Sequence, residues 1–207
     1  MFQVKVQLKE IKSPPIWRNI ILPNRITFFE LHHIIQITFG LFDMHLFNFT
    51  KKSHSFVINL EYMRDEYFNS YNEGINYVDA DKTLVLPYLL ELNTLDYTYD
   101  FGDNWEFKIT LMKVNVITSE EVPSVVSFRG ENISEDCGGP GGLEEIRELS
   151  KTPESKEYQE WVKWNPRILE DYDISQVNKR LANFYKLNNG DVILPYHIYG
   201  SEVEINW

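Results

Sequence analysis

LDYTYDFGDNWEFKITL, residues 95–111, decides how this chain folds. Apolar and polar residues alternate on either side of a polar, glycine-containing centre. That is the pattern of two strands with one buried face, joined by a turn. The spacing predicts strands over Leu95 to Tyr99 and Trp105 to Leu111, turning at Phe101-Gly102-Asp103-Asn104. Trp105, Phe107, Ile109 and Leu111 then share one face of the second strand.

Towards the N-terminus the same period-two signal recurs. Phe2, Val4, Val6 and Leu8 alternate with Gln3, Lys5, Gln7 and Lys9, which predicts a first strand. Pro14-Pro15 interrupts it, and Ile16 to Leu22 reads as a second strand ended by Pro23. Thr27-Phe28-Phe29-Glu30 fits a capping box. Leu31, Ile34, Ile35 and Phe39 follow at helical spacing, with Gly40 as the stop. His45 to Thr50 reads as a strand with His45, Phe47 and Phe49 on one face. Residues 60–82 are polar and weakly periodic and read as a long loop or insertion. Leu84 to Leu86 reads as a short strand, with Pro87 opening a helical turn.

Towards the C-terminus, Gly138-Gly139-Pro140-Gly141-Gly142 reads as a loop. Three helical segments follow: Leu143 to Leu149, one capped by Thr152-Pro153 and running through Val162, and one capped by Asp173 over Ile174 to Tyr185. This order predicts an α+β fold. The expected architecture is a largely antiparallel or mixed sheet, an N-terminal amphipathic helix packed on it and a helical C-terminal part. With 207 residues, the expected organisation is a single domain over 1–186 and a tail over 187–207.

The 13 Phe, 12 Tyr and 5 Trp are enough for a sizeable core. The net charge of -11 is unevenly spread. Met1 to Leu60 holds seven Lys/Arg against three Asp/Glu, whereas Glu120 to Asp173 holds six against fourteen. Acidity on this scale argues against wholesale wrapping by nucleic acid, because phosphate contacts need cations on the contacting face. Cys137 is the one cysteine, so no internal disulfide forms, which suits a reducing cytosol. MFQVKVQLKE lacks an apolar core and is not expected to be a signal peptide. No apolar run of about 18 residues is present, so a cytoplasmic protein with no membrane contact is expected.

Several residues carry the elements of a binding site. Asp100, Asp103 and Glu106 place three carboxylates within seven residues, suited to a hard cation or to acid–base work, or simply to shaping a turn. The spacing does not match a calcium-binding EF-hand loop, and Asp100-Phe101-Gly102 is not accompanied by other kinase signatures. His45 is a candidate ligand or base, or a packed strand residue. Cys137 precedes a helix start, which lowers a thiol pKa, but Glu135 and Asp136 beside it raise it. The adjacent glycines are not a phosphate loop, since no Gly-Lys-Ser/Thr follows. Trp17 and Arg18 offer a stacking and clamping pair, or an anchored Trp beside a solvated Arg.

Four stretches, in order and spacing, resemble the plasmid pRiA4b ORF-3-like family. They are Pro14-Pro15-Ile16-Trp17-Arg18; Leu31-His32 through Gly40 with His45-Leu46; Tyr99-Asp100-Phe101-Gly102-Asp103-Asn104-Trp105-Glu106; and Glu135-Asp136-Cys137-Gly138-Gly139-Pro140 with Val177-Asn178 and Leu181 beyond. The resemblance spans Met1 to Leu181 and implies a protein of plasmids or other mobile elements without an assigned chemistry. Two positions depart from the family pattern, which has histidine where this chain has Phe47 and Phe107. Phenylalanine neither ligates metal nor moves a proton. With one cysteine and those two histidines replaced, no metal and no cofactor are expected.

The leading reading is a non-catalytic binding or regulatory module with a protein partner. Trp17, Arg18, His45, Asp100, Asp103, Trp105, Glu106, Asp136 and Cys137 are its candidate binding residues. A hydrolase-like enzyme using the carboxylates from Asp100 to Glu106 is the alternative. A nucleic-acid accessory protein using the basic N-terminal segment is a third reading, not favoured. The Phe47 and Phe107 rings are expected on one sheet face and in contact.

Overall fold

A computed structural model describes residues 1–11, 13–60, 74–118 and 121–187. In chain order the elements are β1 (Phe2–Leu8), β2 (Trp17–Leu22), α1 (Phe28–Phe39), β3 (Phe47–Lys51), β4 (His54–Asn59), β5 (Asn76–Asp79) and α2 (Val85–Leu92). Then follow β6 (Thr94–Tyr99), β7 (Trp105–Lys113), β8 (Ser124–Arg129), α3 (Gly139–Leu149), α4 (Lys156–Trp164) and α5 (Ile174–Leu187). The strands form one mixed sheet in the order β5-β4-β3-β6-β7-β1-β2-β8. Only the β4–β5 pair is parallel among the described residues.

Alternation in β1, β2, β6 and the first half of β7 sends every second side chain into the core. The hairpin at 94–113 is central, with Tyr97 opposite Phe107 and Tyr99 opposite Trp105. Phe2, Val4, Val6, Leu8, Tyr97, Tyr99, Trp105, Phe107 and Ile109 are all buried. The chain begins with a strand, and α1 is its third element. The Thr27 hydroxyl accepts from Glu30 N, while Glu30 Oε2 accepts from Thr27 N at 2.7 Å, so two orphan donors are satisfied reciprocally. Gly40 ends the helix at φ 75°. Leu31, Ile34, Ile35 and Phe39 are fully buried in the core that the sheet's inner face also lines.

Several local expectations are corrected. Leu84 to Leu86 is not a strand: α2 starts at Val85 and absorbs Pro87 in its first turn, where a missing N–H costs nothing. The glycine run 138–142 is not only a loop, because α3 starts at Gly139 with Pro140 in its first turn. The next helix is capped by Ser155, whose hydroxyl accepts from Tyr158 N, rather than by Thr152-Pro153. Asp173 does cap α5, its Oδ1 accepting from Ser175 N and Gln176 N. The segment read as one loop over 60–82 contains β5, and its residues 61–73 lie outside those described. The expected tail also lies outside them from residue 188 onward. No described helix is long and apolar enough to cross a membrane.

Candidate functional site

Cross-strand register assembles the site. Phe47 pairs with Tyr99 and Tyr99 with Trp105, so the start of β3, the end of β6 and the start of β7 fall in one row. The loop entering β3, the turn after β6 and the segment before α3 meet at this end of the sheet. Asp100 N donates to Leu46 O at 2.9 Å, and Ile133 N donates to Phe39 O at 2.8 Å. Glu135 Oε2 accepts from Phe42 N at 2.5 Å. The Tyr99 hydroxyl accepts from Met44 N at 2.9 Å and donates to Glu135 Oε1 at 2.5 Å.

His45 sits at the convergence. Its Nε2 lies 3.1 Å from Asp136 Oδ1, 3.5 Å from Glu135 Oε1 and 3.6 Å from Asp100 Oδ2. Asp100 and Glu135 are buried, whereas the Asp136 side chain is 62% exposed, so the cluster opens to solvent on the Asp136 side. Burial pushes the Glu135 carboxyl above its ordinary range despite the Tyr99 and Phe42 donors. Burial, and next the bond to Glu135, push the Tyr99 hydroxyl well above the tyrosine range, so it stays a donor. Four large apolar side chains on the same two loops are exposed: Phe42, Met44, Leu46 and Phe101.

Beneath the loop lies a buried polar network. His32 Nε2 donates to Asp43 Oδ1 at 2.5 Å, and the Tyr97 hydroxyl donates to His32 Nδ1 at 2.7 Å. Gln36 Nε2 donates to the same hydroxyl at 3.0 Å, while Gln36 Oε1 accepts from Asp43 N at 2.9 Å. His33 Nδ1 lies 3.1 Å from Asp43 Oδ2. Burial pushes His32 down to about 4, so it is neutral and donates through one nitrogen only. Burial would raise Asp43, but the bonds from His32 and His33 outweigh it and hold the carboxyl far below its usual range. These bonds fix the loop that carries His45.

The sequence candidates divide. His45, Asp100 and Asp136 come together. Asp103 lies close by, and its backbone oxygen would be 2.2 Å from a Cβ on Gly139. A Cβ on Gly142 would likewise fall 1.7 Å from Cys137 O, so these two glycines let α3 start against the turn. Glu106 points the other way: Lys9 Nζ lies 3.3 Å from it and 2.7 Å from Asp96, away from the His45 cluster. The triad of Asp100, Asp103 and Glu106 therefore does not converge, because successive strand residues face opposite sides. Trp105 is fully buried in the core. Cys137 is buried, its Sγ donating to Gly139 O at 3.6 Å, and burial followed by Asp103 pushes the thiol up to about 12. Such a thiol is inert at neutral pH.

Arg18 is turned inward and is fully buried. It donates to Thr38 O at 3.0 Å, Arg129 O at 2.8 Å and Glu131 O at 2.7 Å, and sits 3.8 Å from the Tyr172 ring centre. It joins the end of α1 to the segment that carries Glu135 and Asp136, and does not offer a clamp to a ligand. Trp17 is half-buried with Lys5 Nζ 5.1 Å from its ring centre. The expected Phe47–Phe107 contact is replaced by a relay. Both rings are buried on one face, but Tyr97 stands between, 6.2 Å from Phe47 and 5.6 Å from Phe107.

Sequence reading missed Tyr99, Glu135, His32 and Asp43 as parts of the site. No spacing rule could find them, since they meet only through sheet register. Nor did it foresee the two groups of metal-ligating type among the described residues: His32, His33 and Asp43, and His45, Asp100 and Asp136. The expectation of no metal rests on scarce sulfur and histidine, whereas carboxylates supply most of the second group.

The family described as plasmid pRiA4b ORF-3-like protein matches residues 1–180. The uncharacterized protein y4hQ of Sinorhizobium fredii (strain NBRC 101917 / NGR234) is 28% identical over 190 residues, covering 90% of this chain and 88% of its own length. The crystal structure of a protein of unknown function, MM3350 from Methanosarcina mazei Go1, is similar with a TM-score of 0.67 at 33% identity. That match covers 84% of this chain and 91% of that one. The order of the four motifs, the sheet they build and these matches agree: the chain belongs to the plasmid pRiA4b ORF-3-like family.

Proposed function

We propose that this chain is a non-catalytic binding or regulatory module, of a kind serving plasmids or mobile elements, that docks a protein partner on the His45 end of its sheet. One observation carries the reading. Phe42, Met44, Leu46 and Phe101 stand exposed on the two loops that build the acid–histidine cluster. Exposed apolar patches rimmed by polar groups mark interaction or ligand-binding sites. The hydrolase reading has less support, because Glu106 is engaged with Lys9 away from Asp100. The nucleic-acid reading has less support too, because Arg18 is buried and Lys9 is paired with Asp96 and Glu106.

Selection of peptides from a random library against the purified chain tests this. Enriched peptides should bind the parent protein and lose about tenfold or more in affinity to the variant carrying Met44→Ser and Phe101→Ser. Both side chains are more than half exposed, so this variant should fold. Undiminished binding to the variant would overturn the reading.

A further inference from the structure

We propose that His45, Asp100 and Asp136 form a divalent-cation site that takes a borderline-hard ion such as Mn²⁺ through one imidazole nitrogen and two carboxylate oxygens. The inference deepens the docking reading and rests on it for its role, since the same loops build both. Cation uptake is nevertheless read on the isolated chain, so either can fail alone.

The ligand atoms are spaced for one ion. Metal–ligand bonds of about 2.0–2.2 Å set neighbouring ligands about 2.9–3.1 Å apart in an octahedron and about 3.3–3.6 Å apart in a tetrahedron. His45 Nε2 lies 3.1 Å from Asp136 Oδ1 and 3.6 Å from Asp100 Oδ2. The three ligand atoms all lie within 4.8 Å of one another.

The Asp100 carboxylate is oriented for the same ion. This residue is only 8% exposed. Its Oδ1 accepts from Gly102 N at 2.9 Å and from Asp103 N at 3.3 Å. Its Oδ2 makes no hydrogen bond among the described residues and is aimed at His45 Nε2 from 3.6 Å. With no protein donor and access to solvent, this oxygen can take a cation. Asp136, by contrast, is exposed and leaves open positions on the solvent side. Glu135 stands behind as an outer partner, held by Tyr99 and Phe42 N.

Ligand chemistry selects the ion. The Cys137 thiol is buried and bonded to Gly139 O, so no sulfur joins the set, and a closed structural zinc site is not built. One imidazole with two carboxylates and open positions suits Mn²⁺ better than Ca²⁺, which prefers oxygen alone.

Calorimetric titration of the chelator-treated full chain with MnCl₂ tests the site, with the thermal midpoint with and without Mn²⁺ as a second readout. One ion per chain should bind, and Mn²⁺ should raise the midpoint. Asp100→Asn and Asp136→Asn should each weaken binding at least about tenfold and abolish the Mn²⁺-dependent rise. Both positions have positive φ, 55° and 58°, which asparagine tolerates. The amide oxygen introduced by Asp100→Asn would still accept from the turn, so both variants should fold. No heat and no midpoint rise at millimolar Mn²⁺ would overturn the proposal. So would binding that survives both changes, or binding lost in His33→Ala but kept in Asp136→Asn, which would place the ion on the buried histidine pair.

Discussion

The imidazole of His32 lies flat on the ring of Phe47, with centroids 3.7 Å apart and planes 13° from parallel. Phe47 thus supports a neutral histidine beneath the His45 loop. Phe47→Ala would remove that support and leave a cavity. Chemical denaturation should show a loss of about 3–5 kcal/mol. Phe47 and Phe107 share Tyr97 rather than touching. The double alanine variant should therefore depart from additivity by less than about 1 kcal/mol. A departure of about 2 kcal/mol or more would mean the rings pack directly.

The pH dependence follows from His32. Its pKa in the fold is about 4, below the unfolded value of 6.5. Between those values the unfolded chain binds a proton that the folded chain refuses, so stability falls as pH drops through this window. The loss at that site is on the order of 3 kcal/mol. Asp43 is depressed as well, so its contribution is present above its ordinary range and is lost on stronger acidification. Urea midpoints measured from neutral pH down to about 4 should fall steeply, and His32→Gln should flatten the slope between pH 6.5 and 4. An unchanged slope in that variant would show that His32 does not set the acid sensitivity.

Arg18 should tolerate no conservative change. Its guanidinium spans the carbonyls of Thr38, Arg129 and Glu131, a fork that a lysine ammonium cannot reproduce. Burial already pushes it down to about 10, and a lysine put in its place would face the same penalty. Arg18→Lys and Arg18→Met should each cost about 3–5 kcal/mol in denaturation, the second by stranding buried carbonyls. A cost below about 1 kcal/mol in both would show that the carbonyls find other donors.

Cys137 should behave as a core residue. Its thiol, pushed up to about 12 by burial and by Asp103, should react with a disulfide reagent under mildly alkaline conditions only on unfolding. Rapid stoichiometric reaction of the native chain would contradict its placement under α3.

How much was legible in the sequence depended on the range of each interaction. The hairpin at 94–113, the first two strands and the Thr27–Glu30 cap were readable because alternation and capping are local signals. β4 and β5 were not, because β4 is largely exposed or half-buried near the sheet edge and lacks alternation. Leu84 to Leu86 reads as a strand, with a helical turn only from Pro87, because so short an apolar run serves either period; the helix in fact starts at Val85. Of the site, His45, Asp100 and Asp136 were named singly. The meeting of His45 with Asp136 spans a sequence separation of 91 residues, which no local pattern encodes. Sequence proximity groups Glu106 with Asp100 and Asp103, whereas strand parity turns it toward Lys9.

The cation centre is tested most sharply by anomalous diffraction at the manganese edge from crystals of the full chain grown with MnCl₂. One peak is expected, about 2.1 Å from His45 Nε2, Asp100 Oδ2 and Asp136 Oδ1. A peak at His32, His33 and Asp43 instead, or no peak at saturating manganese, would refute the site.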